Sequence, residues 1–138
     1  MECGVLDGGT AALLAWATKA SARPIHLFDA WQGLPESTAE DGKDARQWTG
    51  QIVGSPRRVS HIMHKMGIEP ARVIVHKGWF HETFPKADIP SVALVHVDCD
   101  FYEPTKLCLE KWFPLLSLGG FLQFADYDSF QSCRIAVD

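Results

Sequence analysis

Asp98 and Asp100 stand two residues apart at the end of the apolar run Val95-His96-Val97. That spacing lets two carboxylates reach one side of a site, where they can hold a hard cation or take a proton from a hydroxyl. Four other apolar runs close on polar residues in a similar way. Met1-Glu2-Cys3-Gly4-Val5, Pro24-Ile25-His26-Leu27-Phe28-Asp29, Arg72-Val73-Ile74-Val75-His76-Lys77-Gly78 and Gly120-Phe121-Leu122-Gln123-Phe124-Ala125-Asp126 are too short for helices and rich in β-branched and aromatic residues. They read as buried parallel strands. Parallel strands of one sheet end on one edge, and open α/β sheets bind ligands in the crevice beyond it. Glu2, Asp29, Asp98, Asp100 and Asp126 are therefore expected in one neighbourhood.

The segments between these runs supply helices and turns. Gly8-Gly9 makes a tight turn into the helix formers from Thr10 to Ala20. Ser55-Pro56 opens a second helix, with Ser as cap and Pro in the first turn; it carries Val59, Ile62, Met63 and Met66 on one face and ends at Gly67. Glu103-Pro104-Thr105 begins another, with Leu107, Leu109 and Trp112 turned inward, after which Pro114 and Gly119-Gly120 return the chain to the last strand. Residues 30–54 are polar and aperiodic, with Gly33, Pro35, Gly42 and Gly50 beside Trp31 and Trp48, and are expected to form a substrate lid.

Strands alternating with helices imply right-handed crossovers and an α/β fold with a doubly wound, mostly parallel, Rossmann-like sheet, in one domain over residues 1–138. One residue precedes Glu2, and a final helix is only beginning at Ile135-Ala136-Val137-Asp138, so the domain is expected to be truncated at both ends, as in a fragment.

Composition narrows the function classes. At 138 residues with 46% hydrophobic side chains the chain can bury a true core, which argues against disorder. The formal charge of −4 leaves Arg57-Arg58 as a basic cluster too short to track phosphates, so no nucleic acid partner is expected. Cys3, Cys99, Cys108 and Cys133 lack paired spacing and read as reduced core thiols. Apolar stretches fall short of the ~18 residues of a membrane span and no secretory leader stands out, which points away from membranes and toward the cytoplasm.

Glu2-Cys3-Gly4-Val5-Leu6-Asp7-Gly8-Gly9-Thr10 places glycines where a ligand must approach the backbone, and Asp29 ends the next strand where a ribose diol would lie. The spacing is not that of the dinucleotide turn G-x-G-x-x-G. These residues resemble the class I S-adenosylmethionine-dependent methyltransferases and, within them, the macrocin O-methyltransferase family. The resemblance runs through Glu2-Cys3-Gly4-Val5, Phe28-Asp29 with Gly33-Leu34-Pro35, Lys77-Gly78-Trp79-Phe80 with Thr83-Phe84-Pro85, Val97-Asp98-Cys99-Asp100-Phe101-Tyr102, Gly119-Gly120 and Asp126-Tyr127. It implies methyl transfer from S-adenosylmethionine to a hydroxyl of a sugar or related natural product, assisted by Mg2+. On that resemblance Glu2, Gly4, Gly8 and Thr10 line the methionine end of the cofactor, Asp29 holds the ribose, Gly78, Trp79 and Phe80 border the adenine, and Asp98 also contacts the cofactor.

Adjacent parallel strands lie about 4.8 Å apart, so Asp98 and Asp126 can enter one coordination sphere, with Asp100 as the base. A plainer account makes Asp98-x-Asp100 a strand end and a helix cap, and Trp79 and Phe80 core aromatics. The family pattern has two adjacent acids before the tyrosine, where this chain reads Ala125-Asp126-Tyr127; Asp128 is the available substitute. His61 and His64 are expected on the surface and His26 and His96 in the core, while His81 could serve as an alternative base.

The leading expectation is an O-methyltransferase acting on a small-molecule hydroxyl acceptor as a homodimer. A cofactor-binding or assembly module without catalysis is the alternative. A nicotinamide-dependent dehydrogenase fits the glycine spacing poorly.

Overall fold

The computed structural model describes residues 1–138. Five strands, β1 (Glu2–Cys3), β2 (Ile25–Asp29), β3 (Val73–Lys77), β4 (Val92–Val97) and β5 (Leu116–Phe124), form one sheet in the order β3-β2-β1-β4-β5. Every pairing is parallel. Five helices alternate with them: α1 (Gly9–Ala17), α2 (Pro56–Lys65), α3 (Phe80–Thr83), α4 (Tyr102–Trp112) and α5 (Gln131–Val137). The chain steps outward from β1 to β2 and β3, then crosses to the other flank of β1 for β4. The junction of β1 and β4 is therefore the topological switch point, where α/β sheets open a crevice.

Alternation along the strands feeds two cores. Leu27 and Val5 pack with Ala11, Ala12 and Ala15 of α1 and Val59 and Met63 of α2. Phe28, Val95 and Val97 face the other way, onto Phe80, Phe84 and Trp112. Phe28 meets Phe84 edge-on at 5.1 Å, and Phe84 meets Trp112 at 5.0 Å, an aromatic stack that fixes α3 and α4 against the sheet. Cys3, Cys99 and Cys108 share this second core; all four cysteines are free and buried.

Four elements differ from the sequence reading. β5 begins at Leu116 instead of after Gly119-Gly120: Val92 faces Leu116 while Leu94 already faces Phe121, so the glycine pair lies inside a bulge with Gly119 at φ 75° rather than in a turn. The last helix starts at Gln131, not at Ile135, and α1 stops at Ala17, short of Ala20. β3 and β5 are edge strands rather than buried ones, and Ile74, Val75, Leu118 and Phe121 are exposed.

The sheet bears a cavity at each end. At the amino ends, one of about 530 Å3 lies between β2 and β4 and is lined by side chains such as Leu14, Ile25, Ile74, Ile89 and Leu94. There the Met1 ammonium donates to the Leu94 carbonyl at 2.7 Å. At the carboxyl ends lies a smaller one of about 290 Å3. No helix is long and apolar enough to cross a membrane.

Candidate active site

The carboxyl-end cavity is built around a backbone crossing at the switch point. Gly4 follows β1 at φ 84°, and a Cβ there would fall on the carbonyl of Asp98, the residue after β4. Only glycine allows the two strands to converge so closely, and the convergence places Asp98, Cys99 and Asp100 on the cavity wall beside Gly4.

Asp29 organises the turn that follows. Its carboxylate accepts the backbone N–H groups of Val5 (2.8 Å), Leu6 (2.9 Å) and Trp31 (2.6 Å). Three of its roughly four acceptor positions are thus committed to backbone. The Trp31 indole in turn donates to the Leu6 carbonyl at 2.7 Å. Leu6, Trp31, Ile52 and Asp100 are the four non-glycine residues with positive φ, at 51°, 53°, 59° and 62°. Leu6, Ile52 and Asp100 line this cavity, and Trp31 adjoins Ala30, which does so too. Left-handed backbone costs of order 1–3 kcal/mol at such residues, and it is concentrated around this one crevice.

Residues 30–54 are tied down on both sides of that crevice. Leu34 and the Gly50-Gln51 pair exchange backbone hydrogen bonds at 2.9 and 2.8 Å. Asp41 accepts from the Thr38 N–H and hydroxyl with one oxygen, and with the other from the Tyr102 N–H at 2.7 Å. The first turn of α4 is thus capped from this loop. Asp100, which the plainer sequence account made the cap, makes no such bond, and Phe101 is the N-cap residue.

Asp98, Asp100 and Asp126 influence one another in a partly buried patch. Burial, reinforced by Asp126 and Asp98, pushes the Asp100 carboxyl up to about 7. Burial also raises Asp98 and Asp126 above the ordinary carboxylate range. One Asp126 oxygen accepts the Asp100 N–H at 3.0 Å. Beneath them Glu2 is 1% exposed, with one oxygen bonded to His96 Nδ1 at 3.0 Å and the other buried without a partner. Burial raises Glu2, and the hydrogen bond that His96 donates to Glu2 raises His96. Glu2, His96 and Asp98 bring donor atoms within 4.8 Å of one another.

Of the residues singled out from sequence, Gly4, Asp29, Gly78, Trp79, Phe80, His81, Asp98 and Asp100 line the cavity together, His81 as an exposed residue of α3. Glu2 lies one layer below, Gly8 is buried against Val59, Thr10 is exposed on α1, and Asp126 touches Asp100 from behind. Phe80 is both wall and core, stacked on Phe84 at 4.7 Å. Ala125 donates its N–H to the Val97 carbonyl and so stands beside Asp98 in the ladder. Asp128 is no substitute for a ligand there, since it is highly exposed and paired with Arg134. His61 and His64 are exposed, His96 is buried, and His26 is half-buried and bonded to His76. Sequence reading passed over Ile52, Glu103, Pro104 and Leu107 as wall residues. Their only sequence signal is proximity to the lid loop and to the Asp-Phe-Tyr turn.

A cavity at the switch point of a parallel sheet, edged by strained turns and carboxylates, is the architecture of the Rossmann-like methyltransferases. The chain belongs to the Macrocin-O-methyltransferase (TylF) family, whose model matches residues 1–138. It is 30% identical over 145 residues to the 8-demethyl-8-(2,3-dimethoxy-alpha-L-rhamnosyl)-tetracenomycin-C 4'-O-methyltransferase of Streptomyces olivaceus, covering 99% of this chain and 55% of that protein. The structure of the O-methyltransferase NovP superposes with a TM-score of 0.90 at 29% identity, covering 99% of this chain and 60% of NovP. The apo structure of CalS11, a TDP-rhamnose 3'-O-methyltransferase of calicheamicin biosynthesis, gives 0.71 at 25% identity over 99% of this chain and 60% of its own. The chain thus spans little more than half the length of its curated relatives.

Proposed function

We propose that this chain forms the core of an S-adenosylmethionine-dependent, Mg2+-assisted O-methyltransferase that acts on a hydroxyl of a sugar or related natural product. The observation that carries the reading is Asp100: a cavity-wall carboxylate near 7, held in left-handed backbone and free of helix-capping work. A general base is most effective when its pKa lies near the working pH.

In this reading Gly4 and the Asp29-clamped turn seat the cofactor, which supplies an electrophilic methyl group on a sulfonium. The orphaned Glu2 oxygen beside Asp98 suits a ligand ammonium. Trp79 is half-buried on the wall at the end of β3 and offers a face for a purine. No Lys or Arg lines the cavity, which suits a phosphate-free cofactor better than a dinucleotide. Asp100 takes the proton of the acceptor hydroxyl, and the oxygen then attacks the methyl carbon as the bond to sulfur breaks. Alignment of that oxygen supplies much of the rate.

The donor set suits magnesium, which binds through one or two carboxylates and retains waters. Asp98 and Asp126 would hold it, and when bound it would lower the pKa of the acceptor hydroxyl. Ala125, a methyl group beside Asp98, favours the second reading, a module that binds the cofactor without catalysing. Calorimetric titration with S-adenosylhomocysteine, with magnesium and with chelator, separates the two. Binding that tightens with magnesium and an acceptor supports the enzyme; binding indifferent to metal, with no turnover, supports the module; no binding overturns both. The exposed apolar side chains of β5 motivate a homodimer, and a monomeric mass in sedimentation would end that part of the proposal.

A further inference from the structure

Asp100 carries its left-handed φ of 62° at the centre of a three-residue turn, closed by the Phe101 N–H on the Cys99 carbonyl at 2.7 Å. Turns of this size with a positive central φ are rare and strained, and they persist only where neighbouring groups fix them. Both polar groups of the Asp100 backbone are fixed here, and both by the segment that follows β5. The N–H donates to an Asp126 carboxylate oxygen at 3.0 Å, and the carbonyl accepts the Ser132 hydroxyl of α5 at 3.2 Å. Ser132 is 2% exposed and this is the one hydrogen bond its side chain makes. A hydroxyl buried this deeply costs free energy unless it is bonded, and helix packing alone does not call for one. The Asp100 carboxylate, by contrast, makes no hydrogen bond within the chain, although Asp100 lines the cavity.

We infer that Ser132 is a positioning residue for Asp100: together with Asp126 it clamps the strained peptide from both sides and so keeps the Asp100 carboxylate on the cavity wall. Holding the backbone and not the side chain leaves every acceptor position of the carboxylate open to a ligand. It also ties the cavity wall to α5, a helix that does not line the cavity. Small displacements of a reacting group are expensive, about 10^2-fold in rate for 1 Å, so a single hydroxyl outside the site can matter to it. What Asp100 does there rests on the methyl-transfer reading; the clamp itself rests on the geometry.

Amide hydrogen exchange of the 138-residue chain, followed by NMR, tests the clamp. Ser132→Ala removes one buried hydrogen bond and is expected to speed exchange of the Asp100 N–H at least about tenfold relative to the amides of β4. Leu14→Ala, which lowers stability from the other end of the sheet, should leave that ratio unchanged. Ser132→Thr keeps the hydroxyl and should return the ratio to that of the unsubstituted chain, whatever its added methyl does to overall stability. A ratio that Ser132→Ala does not move, or that Ser132→Thr does not restore, overturns the assignment. Because Ser132 is off the cavity wall, Ser132→Ala should bind S-adenosylhomocysteine within about twofold of the unsubstituted chain. A larger loss would make Ser132 a support of the cofactor seat and would likewise overturn it. Absence of S-adenosylhomocysteine binding in the unsubstituted chain is a separate result, which removes the methyl-transfer reading while the exchange ratio still decides the clamp.

Discussion

The two ends of this sheet hold cavities of opposite character. The amino-end cavity is the larger, at about 530 Å3, and no residue of its wall has left-handed backbone. The carboxyl-end cavity is about 290 Å3, yet it gathers three strained residues and five carboxylates on its wall. Volume therefore does not mark the site. A fold accumulates strain and buried like charge only where surrounding structure holds them in place, and here that structure is the Asp29 clamp and the Gly4 crossing.

The contrast can be broken most severely at Gly4. Gly4→Ala adds a Cβ onto the Asp98 carbonyl in left-handed backbone, and a loss of about 3–5 kcal/mol is expected from overpacking and strain together. Gly42→Ala is the control: φ is 80° with open space around it, so about 1–2 kcal/mol is expected. Urea denaturation midpoints would measure both, and equal losses would show that the crossing is not what constrains Gly4.

Asp100→Asn should lower methyl transfer by about 10^2–10^4-fold and leave S-adenosylhomocysteine binding in place. In the unsubstituted chain kcat should rise with pH as Asp100 loses its proton, and retention of that limb in the variant would assign the base elsewhere. Asp29→Ala should cost about 2–4 kcal/mol, because three backbone N–H groups lose a charged acceptor in a partly solvated turn. It should also weaken cofactor binding. Leu14→Ala, at the other end, should cost about 1–2 kcal/mol with cofactor affinity unchanged within about twofold. Were it to weaken binding as much as Asp29→Ala, the two cavities would not be separable.

The ends should also respond to pH with opposite signs. Asp100 titrates near 3.8 unfolded and about 7 folded, so the folded chain holds the extra proton between these values and stability falls as pH rises across the window. His26 lines the amino-end cavity with its Nδ1 at 2.9 Å from His76 Nε2, and burial and His76 lower it from 6.5 to about 4. The unfolded chain then holds the extra proton, and stability falls as pH drops from 6.5 toward 4. Melting temperature against pH for Asp100→Asn and for His26→Gln should each lose one of these slopes; two unchanged curves would remove both assignments.

The sheet and the gathering of its acids were legible because they depend on local pattern: apolar runs of strand length, each closing on a polar residue. Parallel topology then carries Asp29, Asp98 and Asp100 to one edge without further information. The misread elements depend on distant neighbours. Gly119-Gly120 looks like a turn, and only pairing with β4 makes it a bulge. The cap of α4 comes from Asp41, some sixty positions upstream, which no window around Tyr102 reveals. Leu6, Trp31 and Ile52 are not glycines, so nothing in their residue type announces their left-handed conformations, and the gathering of Cys3, Cys99 and Cys108 follows from the stacking of α4 on the sheet.

Asp41 also supplies the molecule with a built-in gauge. Because the same carboxylate closes its own loop and receives the Tyr102 amide, that amide exchanges its hydrogen with solvent only as often as the loop lets go of α4. One resonance in a deuterium-exchange experiment therefore reports how far the equilibrium favours the loop docked on α4. Its slowing on addition of a ligand would give the free energy with which that ligand holds the loop against α4, with no label attached and no residue altered.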